Sequence, residues 1–209
     1  MTGKRSDPAD LLRHVTPSAS PETLKGSGSG DIASSGVTSV GHPNLRDSCG
    51  EFDIRIAPDG TWFYHGSPIT RKPLVKLFAS VLKRQANGEY WLETPAEKGR
   101  IRVDDAPFVA VELTTTGAGR DQKLVFRTNL DDLVTAGPEH QIRVTVDTAT
   151  GEPRPYILVR DGLEALIARP VFYQLVDLSE EKAGAEGGEV QYGVWSRGEF
   201  FPLGTTDRT

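Results

Sequence analysis

One order of predicted elements occurs twice along the chain, and this weak internal repeat constrains its architecture more than any other feature. Two such units can look alike by chance, but the shared Gly, Arg and Pro favour a duplication. The first copy covers residues 52–93 and the second covers residues 142–201. Each copy has a strand of alternating apolar and polar residues, a turn, a second strand, an X-Gly turn, an Arg closely followed by Pro, an amphipathic helical pattern and an aromatic strand. The repeat predicts two similar tandem units, and it carries no information about function.

The two copies match at individual positions as well as in their order of elements. His65-Gly66 and Asp161-Gly162 occupy equivalent hairpin turns, and Arg71 and Arg169 follow them at equivalent helix starts. Two extra residues separate the Gly from the Arg in the second copy. In the first copy the apolar spacing predicts a helix that continues from Leu74 through Leu82 and stops at Asn87-Gly88.

The fold predicted from this pattern is α+β. It has two similar tandem units, each an antiparallel β-meander with one packed amphipathic helix. Segments 100–104, 108–115 and 123–128 are predicted to add further antiparallel strands. We expect residues 1–48, rich in Ser, Gly and Pro, to form a disordered arm. The first unit would then cover residues 49–116, and the second residues 117–204.

Composition narrows the class of protein. The net charge of −5, from 24 basic and 29 acidic residues, argues against a binder of duplex nucleic acid. The single Cys excludes an internal disulfide and fits a reducing compartment. No apolar run is long enough to span a bilayer, and none follows Lys4 and Arg5 as it would in a secretory signal. We therefore expect a cytoplasmic protein that binds neither nucleic acid nor membrane.

The sequence contains no recognisable catalytic set. Cys49 is the only thiol, and its spacing from His42 and His65 matches no nucleophile signature, so a small packed residue at a turn is the more usual interpretation. Asp104-Asp105 and Asp131-Asp132 are consecutive carboxylates, which point to opposite faces of an extended chain and make poor pairs for catalysis. The four His residues and the Cys lack zinc-site spacing. We expect no catalytic residues, no metal and no cofactor.

The arginines at the two helix starts are the most informative polar residues. The helix dipole disfavours a cation at that end, so Arg71 and Arg169 need another reason to be there. Each could pair with a carboxylate, for which Asp53 and Asp161 are the candidates, or both could help to bind an anion. Structural pairing is the commoner outcome, and the sequence leaves both open. The candidate ligand-binding residues are Arg71, Arg169, Asp53, Arg55 and Tyr64.

Six separated segments resemble, in order, the bacterial family known as domain of unknown function 1285. They read CGEFDIRI, DGTWFY, RKPLV, TPAEK, DDAPFVA and GVWS, and the resemblance covers nearly all of residues 44–203. It implies two similar α/β units in one chain. It also implies an uncharacterised protein for which a role in signal transduction or ligand binding has been suggested, with no catalytic residues to carry over.

Our leading hypothesis is a regulatory module that binds a small anionic ligand or a protein partner in a cleft between the repeats. The alternative is a small hydrolase or transferase with an unrecognised site between Cys49 and Arg71. A fast-reacting Cys49 of low pKa would favour that alternative. A third hypothesis is an assembly protein that forms a homo-oligomer through an exposed sheet edge.

Overall fold

The computed structural model describes residues 49–95, 97–183 and 189–207. The predicted arm at residues 1–48 and most of the Gly-rich loop, residues 184–188, lie outside the described residues. Within the described part, no helix is long and apolar enough to cross a membrane.

The protein is mostly β, so the predicted α+β class is wrong. Strands make up 54% of the described residues and helices 14%, in three sheets that include a curled half-barrel. The prediction overestimated the helices because it extended the first of them through residues that belong to a strand. Residues 180–182 after the second helix carry charges typical of a solvated helix end, yet they form a strand.

The described elements are fifteen strands and two α-helices, with a short 3-10 turn at Gly119–Asp121. The helices are α1 (Lys72–Ser80) and α2 (Arg169–Asp177). The strands are β1 (Cys49–Ile56), β2 (Trp62–Tyr64), β3 (Ser67–Pro68), β4 (Leu82–Arg84), β5 (Tyr90–Glu93), β6 (Lys98–Val103), β7 (Phe108–Thr116), β8 (Lys123–Thr128), β9 (Leu133–Thr135), β10 (Ile142–Val146), β11 (Pro153–Arg160), β12 (Leu163–Ile167), β13 (Glu180–Ala183), β14 (Glu189–Ser196) and β15 (Glu199–Asp207).

Two six-stranded sheets and one three-stranded sheet contain these strands. Their orders are β3-β2-β1-β6-β5-β4, β10-β11-β12-β7-β8-β9 and β13-β14-β15. Most neighbours are antiparallel, but β1 pairs with β6 and β12 pairs with β7 in parallel. The expectation that the strands between the two copies are purely antiparallel is therefore wrong for β6 and β7.

The repeat is visible in the structure as the shared order β1-β2-β3-α1 and β10-β11-β12-α2. In each copy the hairpin that leads to the helix turns through two residues with positive φ. These are His65 (47°) with Gly66 (75°), and Asp161 (45°) with Gly162 (74°). Positive φ at both central residues defines the type I′ turn that fits the twist of a hairpin. The copies differ in their neighbours. The first strand of the first copy, β1, pairs with β6, whereas the third strand of the second copy, β12, pairs with β7. After the helices, β4, β5 and β6 return to the first sheet, whereas β13, β14 and β15 form a sheet of their own.

Helix α1 ends at Ser80, not at Asn87-Gly88 as predicted. The Ser80 hydroxyl donates a hydrogen bond of 2.7 Å to the carbonyl of Leu77. Leu82 continues the helical spacing of apolar residues, yet it begins β4 and lies opposite Leu92 of β5. Asn87-Gly88 instead forms the turn of the β4–β5 hairpin. Leu82 is thus a buried strand residue whose spacing from the apolar residues of α1 matches a helix by coincidence.

The apolar residues of both units form one continuous buried cluster. In the first unit Trp62 stacks on Phe78 of α1, with their ring centroids 6.3 Å apart. In the second unit α2 buries Val171 and Leu175. Trp62 lies fully in the core and is 1% exposed.

The third sheet is tied to the second by a buried serine. The Ser196 hydroxyl donates to the Ala136 carbonyl at 2.7 Å and accepts from the Leu124 backbone N–H at 3.1 Å. The Gln122 side chain adds a hydrogen bond to the carbonyl of Trp195 at 3.0 Å. These bonds fix β14 against β8.

Candidate functional site

Charge complementarity joins the two units. Lysines of the first unit pair with acids of the second. The Asp131 carboxylate accepts hydrogen bonds from Lys72 at 2.7 Å and from Lys76 at 2.8 Å. The Lys83 nitrogen lies 3.3 Å from the Asp161 carboxylate. Hydrogen bonds from Lys72 and Lys76 lower the pKa of Asp131 to about 2. These contacts bring α1 and β4 against the turns of the second unit.

The backbones of the units also approach closely. The Asn129 amide donates to the Gly60 carbonyl at 3.3 Å, while its oxygen accepts from the Val109 N–H at 3.1 Å. Arg160 donates to the Ala79 carbonyl at the end of α1, at 2.7 Å. A side chain at Gly60 would meet the Asn129 amide nitrogen at 2.4 Å, so this turn requires glycine.

Two arginines, two tyrosines and a glutamate converge where the units meet. The Arg84 guanidinium lies 5.7 Å from the Tyr90 ring, and the Arg143 guanidinium 4.3 Å from the Tyr156 ring. Glu164 accepts two hydrogen bonds from Arg143, at 2.5 and 2.7 Å, and lies 3.9 Å from Arg84. We call these five residues the junction cluster.

Strand register brings the members of the junction cluster together. Arg84 lies directly opposite Tyr90 in the β4–β5 hairpin, and Arg143 lies opposite Tyr156 in the β10–β11 hairpin. Directly opposite residues share one face of a sheet, so each guanidinium can lie over its tyrosine ring. Burial raises the pKa of Tyr90, and the nearby charge of Arg84 opposes this with a smaller lowering effect. The rings are thus partly shielded from water at the junction.

A second polar network adjoins the junction cluster. Asp105, in the segment between β6 and β7, accepts hydrogen bonds from the Tyr156 hydroxyl at 2.8 Å and from Arg154 at 2.5 Å. The Arg154 Nε donates to the Tyr156 oxygen at 3.1 Å. Burial raises the pKa of the Tyr156 hydroxyl, and the hydrogen bonds to Tyr156 and Asp105 raise the pKa of Arg154. This network fixes Tyr156 and Arg154 in place.

An open cavity of about 280 Å³ lies beside the junction cluster. Its lining residues come from both units and are Arg84, Gln85, Ala86, Gly88, Asp161 and Gly162. Arg84 donates one hydrogen bond, of 3.2 Å, to the Gly162 carbonyl, while its 3.9 Å approach to Glu164 is too long for another. Among the described residues Arg84 is therefore a cation with unused donors at the mouth of a cavity.

The two arginines singled out from the sequence have different surroundings. Arg169 is the first residue of α2 and pairs with Glu152 at 2.6 Å, which raises the pKa of Arg169. Arg71 is the N-cap of α1, is exposed, and forms no ion pair with any described residue. The acids proposed as their partners contact other side chains: Asp53 pairs with His65 at 2.7 Å and Asp161 with Lys83.

The remaining candidates also lie outside the junction cluster. Arg55 donates to Asp104 at 2.8 Å through Nε and lies over the Phe63 ring at 5.6 Å. Tyr64 packs against His65, with their ring centroids 4.1 Å apart. A role in ligand binding for these residues stays a prediction. Sequence reasoning missed the junction cluster for two reasons. The register of two hairpins places Arg84 opposite Tyr90 and Arg143 opposite Tyr156, and only the packing of the two units brings Arg84 near Glu164.

The site proposed for the enzyme alternative is only partly within the described structure. Cys49 starts β1, and its side chain lies outside the described residues. The Asp53–His65 pair is exposed at a hairpin turn, with side chains 69% and 43% accessible. Among the described residues, no three His, Cys, Asp or Glu side chains come close enough to hold a metal.

The fold and the junction define a class: a mostly β protein in which two copies of one order of strands and helix meet at a charged and aromatic cluster. The chain belongs to the DUF1285 family. Residues 42–106 match the "Domain of unknown function (DUF1285), N-terminal domain" and residues 107–203 match the "Protein of unknown function (DUF1285), C-terminal domain". This confirms the resemblance drawn from the six sequence segments. The two matches meet at residue 106, and our division at residue 116 stays a prediction.

Solved structures of the same family are similar to this chain. A DUF1285 family protein from Silicibacter pomeroyi DSS-3 is 49% identical, with a TM-score of 0.71 over 81% of this chain and 91% of that one. A DUF1285 family protein from Shewanella baltica OS155 is 27% identical, with a TM-score of 0.49 over 60% of this chain and 91% of that one. No curated protein matches.

Proposed function

We propose that this protein is a cytoplasmic regulatory module that binds a small anionic ligand at the junction between its two units. The observation that supports the proposal is the position of Arg84. It lines a cavity shared by both units and makes a single hydrogen bond, to the Gly162 carbonyl, among the described residues. A guanidinium with unused donors beside a cavity is well suited to an anionic group.

The surroundings of Arg84 favour a ligand of low charge. Asp161 lines the same cavity, and Glu164 is shared by Arg84 and Arg143. A ligand with several anionic groups would be repelled by these carboxylates. A ligand with one phosphate or carboxylate group could replace the Gly162 carbonyl as the acceptor for Arg84. The Tyr90 face beneath the guanidinium could contact an apolar or planar part of the same ligand.

A ligand at this place would affect how the units are held together. Arg84 and Lys83 belong to the first unit and contact Gly162 and Asp161 of the second. An anion bound between them changes the contacts that join the units, which is the kind of differential interaction that regulation requires. This is the physical basis on which we include signal transduction in the proposal.

The test is a thermal-shift screen of the full chain against inorganic phosphate, simple carboxylates, nucleotides and other metabolites, with product analysis of each mixture. A ligand that binds the native state raises the melting temperature by linkage. The matched variants are Arg84→Gln and Arg102→Gln. Arg102 is 76% exposed on β6 and lines neither described cavity.

We expect a hit whose stabilisation persists in Arg102→Gln and disappears in Arg84→Gln. Equal stabilisation of both variants would contradict the proposed site. A hit with turnover would favour the enzyme alternative, and no hit at all would favour a protein partner.

A further inference from the structure

A second cavity lies entirely within the second unit, apart from the junction. It has a volume of about 320 Å³ and is enclosed by the start of β11, the end of β12 and the start of α2. Its lining residues are Glu152, Pro153, Arg154, Pro155, Leu166, Ile167, Arg169, Phe172 and Tyr173. None of them lines the junction cavity.

The walls of this cavity are mainly apolar. Pro153 and Pro155 have no backbone N–H, so these two positions of β11 offer an occupant no backbone donor. Phe172 is half-buried and Tyr173 is 57% exposed, which leaves two aromatic side chains of α2 facing accessible space. Concave apolar walls with a few fixed polar groups are typical of small-molecule sites.

The two arginines of the cavity differ in how firmly they are held. Arg154 is fixed by Asp105 at 2.5 Å and by the Tyr156 hydroxyl at 3.1 Å. Among the described residues Arg169 has one carboxylate partner, Glu152, and the two side chains are 64% and 55% exposed. Exposed ion pairs are weak, so the Glu152 carboxylate can be replaced on Arg169 by another carboxylate.

We propose that this cavity binds a small monocarboxylate with an apolar ring or short chain, whose carboxylate displaces Glu152 from Arg169. Glu152 then marks the position that the carboxylate of the ligand takes. The apolar part lies against Pro155, Leu166 and Phe172. The volume is at the small end of the range of about 300–1,000 Å³ for ligand sites, so the ligand is smaller than a typical drug.

The test measures binding of 4-fluorobenzoate to the full chain by ¹⁹F NMR, with 4-fluorobenzamide as the uncharged probe. We expect the carboxylate to bind more tightly than the amide. Arg169→Gln weakens carboxylate binding by about tenfold or more, because the charge-assisted hydrogen bond is lost. Glu152→Gln strengthens it, because the internal competitor is removed.

Two further variants serve as controls. Arg102→Gln, at an exposed position of β6, leaves binding unchanged because Arg102 lines neither described cavity. Tyr173→Ala removes an exposed wall of the cavity without touching the core, and it weakens both probes. The proposal is overturned if 4-fluorobenzoate does not bind, if the amide binds equally well, or if Arg169→Gln and Arg102→Gln behave alike.

Discussion

Asp131 is a single residue whose carboxylate helps to hold the two units together. It accepts hydrogen bonds from two lysines of the opposite unit, which lower its pKa from 3.8 to about 2. A group whose pKa is lower in the folded state stabilises that state above its ordinary pKa. This contribution is lost as the pH falls from about 4 towards 2.

Replacing Asp131 with Asn should lower stability at neutral pH and flatten the loss of stability between pH 4 and pH 2. Asn tolerates the positive φ of 68° at this position, so the change removes the charge and leaves the backbone in place. The measurement is the urea midpoint as a function of pH, with Asp177→Asn at the exposed end of α2 as the control. A variant with the same pH profile as the native chain would show that the lysine contacts contribute nothing.

At the same scale, Arg169 was identified from the sequence but its partner was not. The dipole argument needs only the helix start, which Pro170 and the apolar spacing predict. Glu152 contacts Arg169 because the turn before β11 places it beside the start of α2. The geometry of that turn cannot be predicted from Glu152 or Arg169 alone. Similarly, Asp104 and Asp105 were expected to point apart, and they pair with Arg55 and Arg154 respectively.

At the scale of elements, the β14–β15 hairpin allows a direct test of backbone conformation. Gly198 has φ of 82°, whereas Gly204 of β15 lacks a positive φ, and an added Cβ would meet no atom within 4 Å at either position. Gly198→Ala should therefore cost about 1–2 kcal/mol through its left-handed conformation alone. Gly204→Ala should stabilise the protein by up to about 1 kcal/mol, because it only reduces the entropy of the unfolded chain. Equal free energies of unfolding for the two variants would rule out this explanation.

The attachment of the third sheet predicts a second effect on stability. Ser196→Ala leaves the Leu124 N–H and the Ala136 carbonyl without their buried partner. An unsatisfied buried polar group costs about 1–3 kcal/mol, so we expect a loss of at least that size in denaturant unfolding. Ser67→Ala, at an exposed position of β3, provides the control. A loss no larger than that of the control would mean that Ser196 does not hold the sheets together.

Elements specified by local sequence were predicted better than those specified by distant pairing. The X-Gly turns at His65 and Asp161 were found as expected, because positive φ is a local property. The end of α1 was missed, because Leu82 fits a helical spacing as well as its actual place opposite Leu92. Residues 180–182 were missed because their charges resemble a solvated helix end, and their strand exists only through pairing with β14.

At the scale of the whole molecule, the parallel pairs β1–β6 and β7–β12 and the separate third sheet could not be predicted. They join segments far apart in sequence, and no local pattern specifies which strands become neighbours. The shared order of strands and helix in the two copies was predicted because it can be read along the chain. The junction cluster was not predicted, because it depends on strand register and on how the two copies pack.

The proposed function requires that Arg84 binds the anion at that junction. The most direct measurement is the melting temperature of the full chain in increasing inorganic phosphate, compared with chloride at matched ionic strength, for the native chain, Arg84→Gln and Arg102→Gln. We predict a saturable, phosphate-specific rise for the native chain and Arg102→Gln that is absent in Arg84→Gln. A rise of the same size in Arg84→Gln would contradict the proposed site.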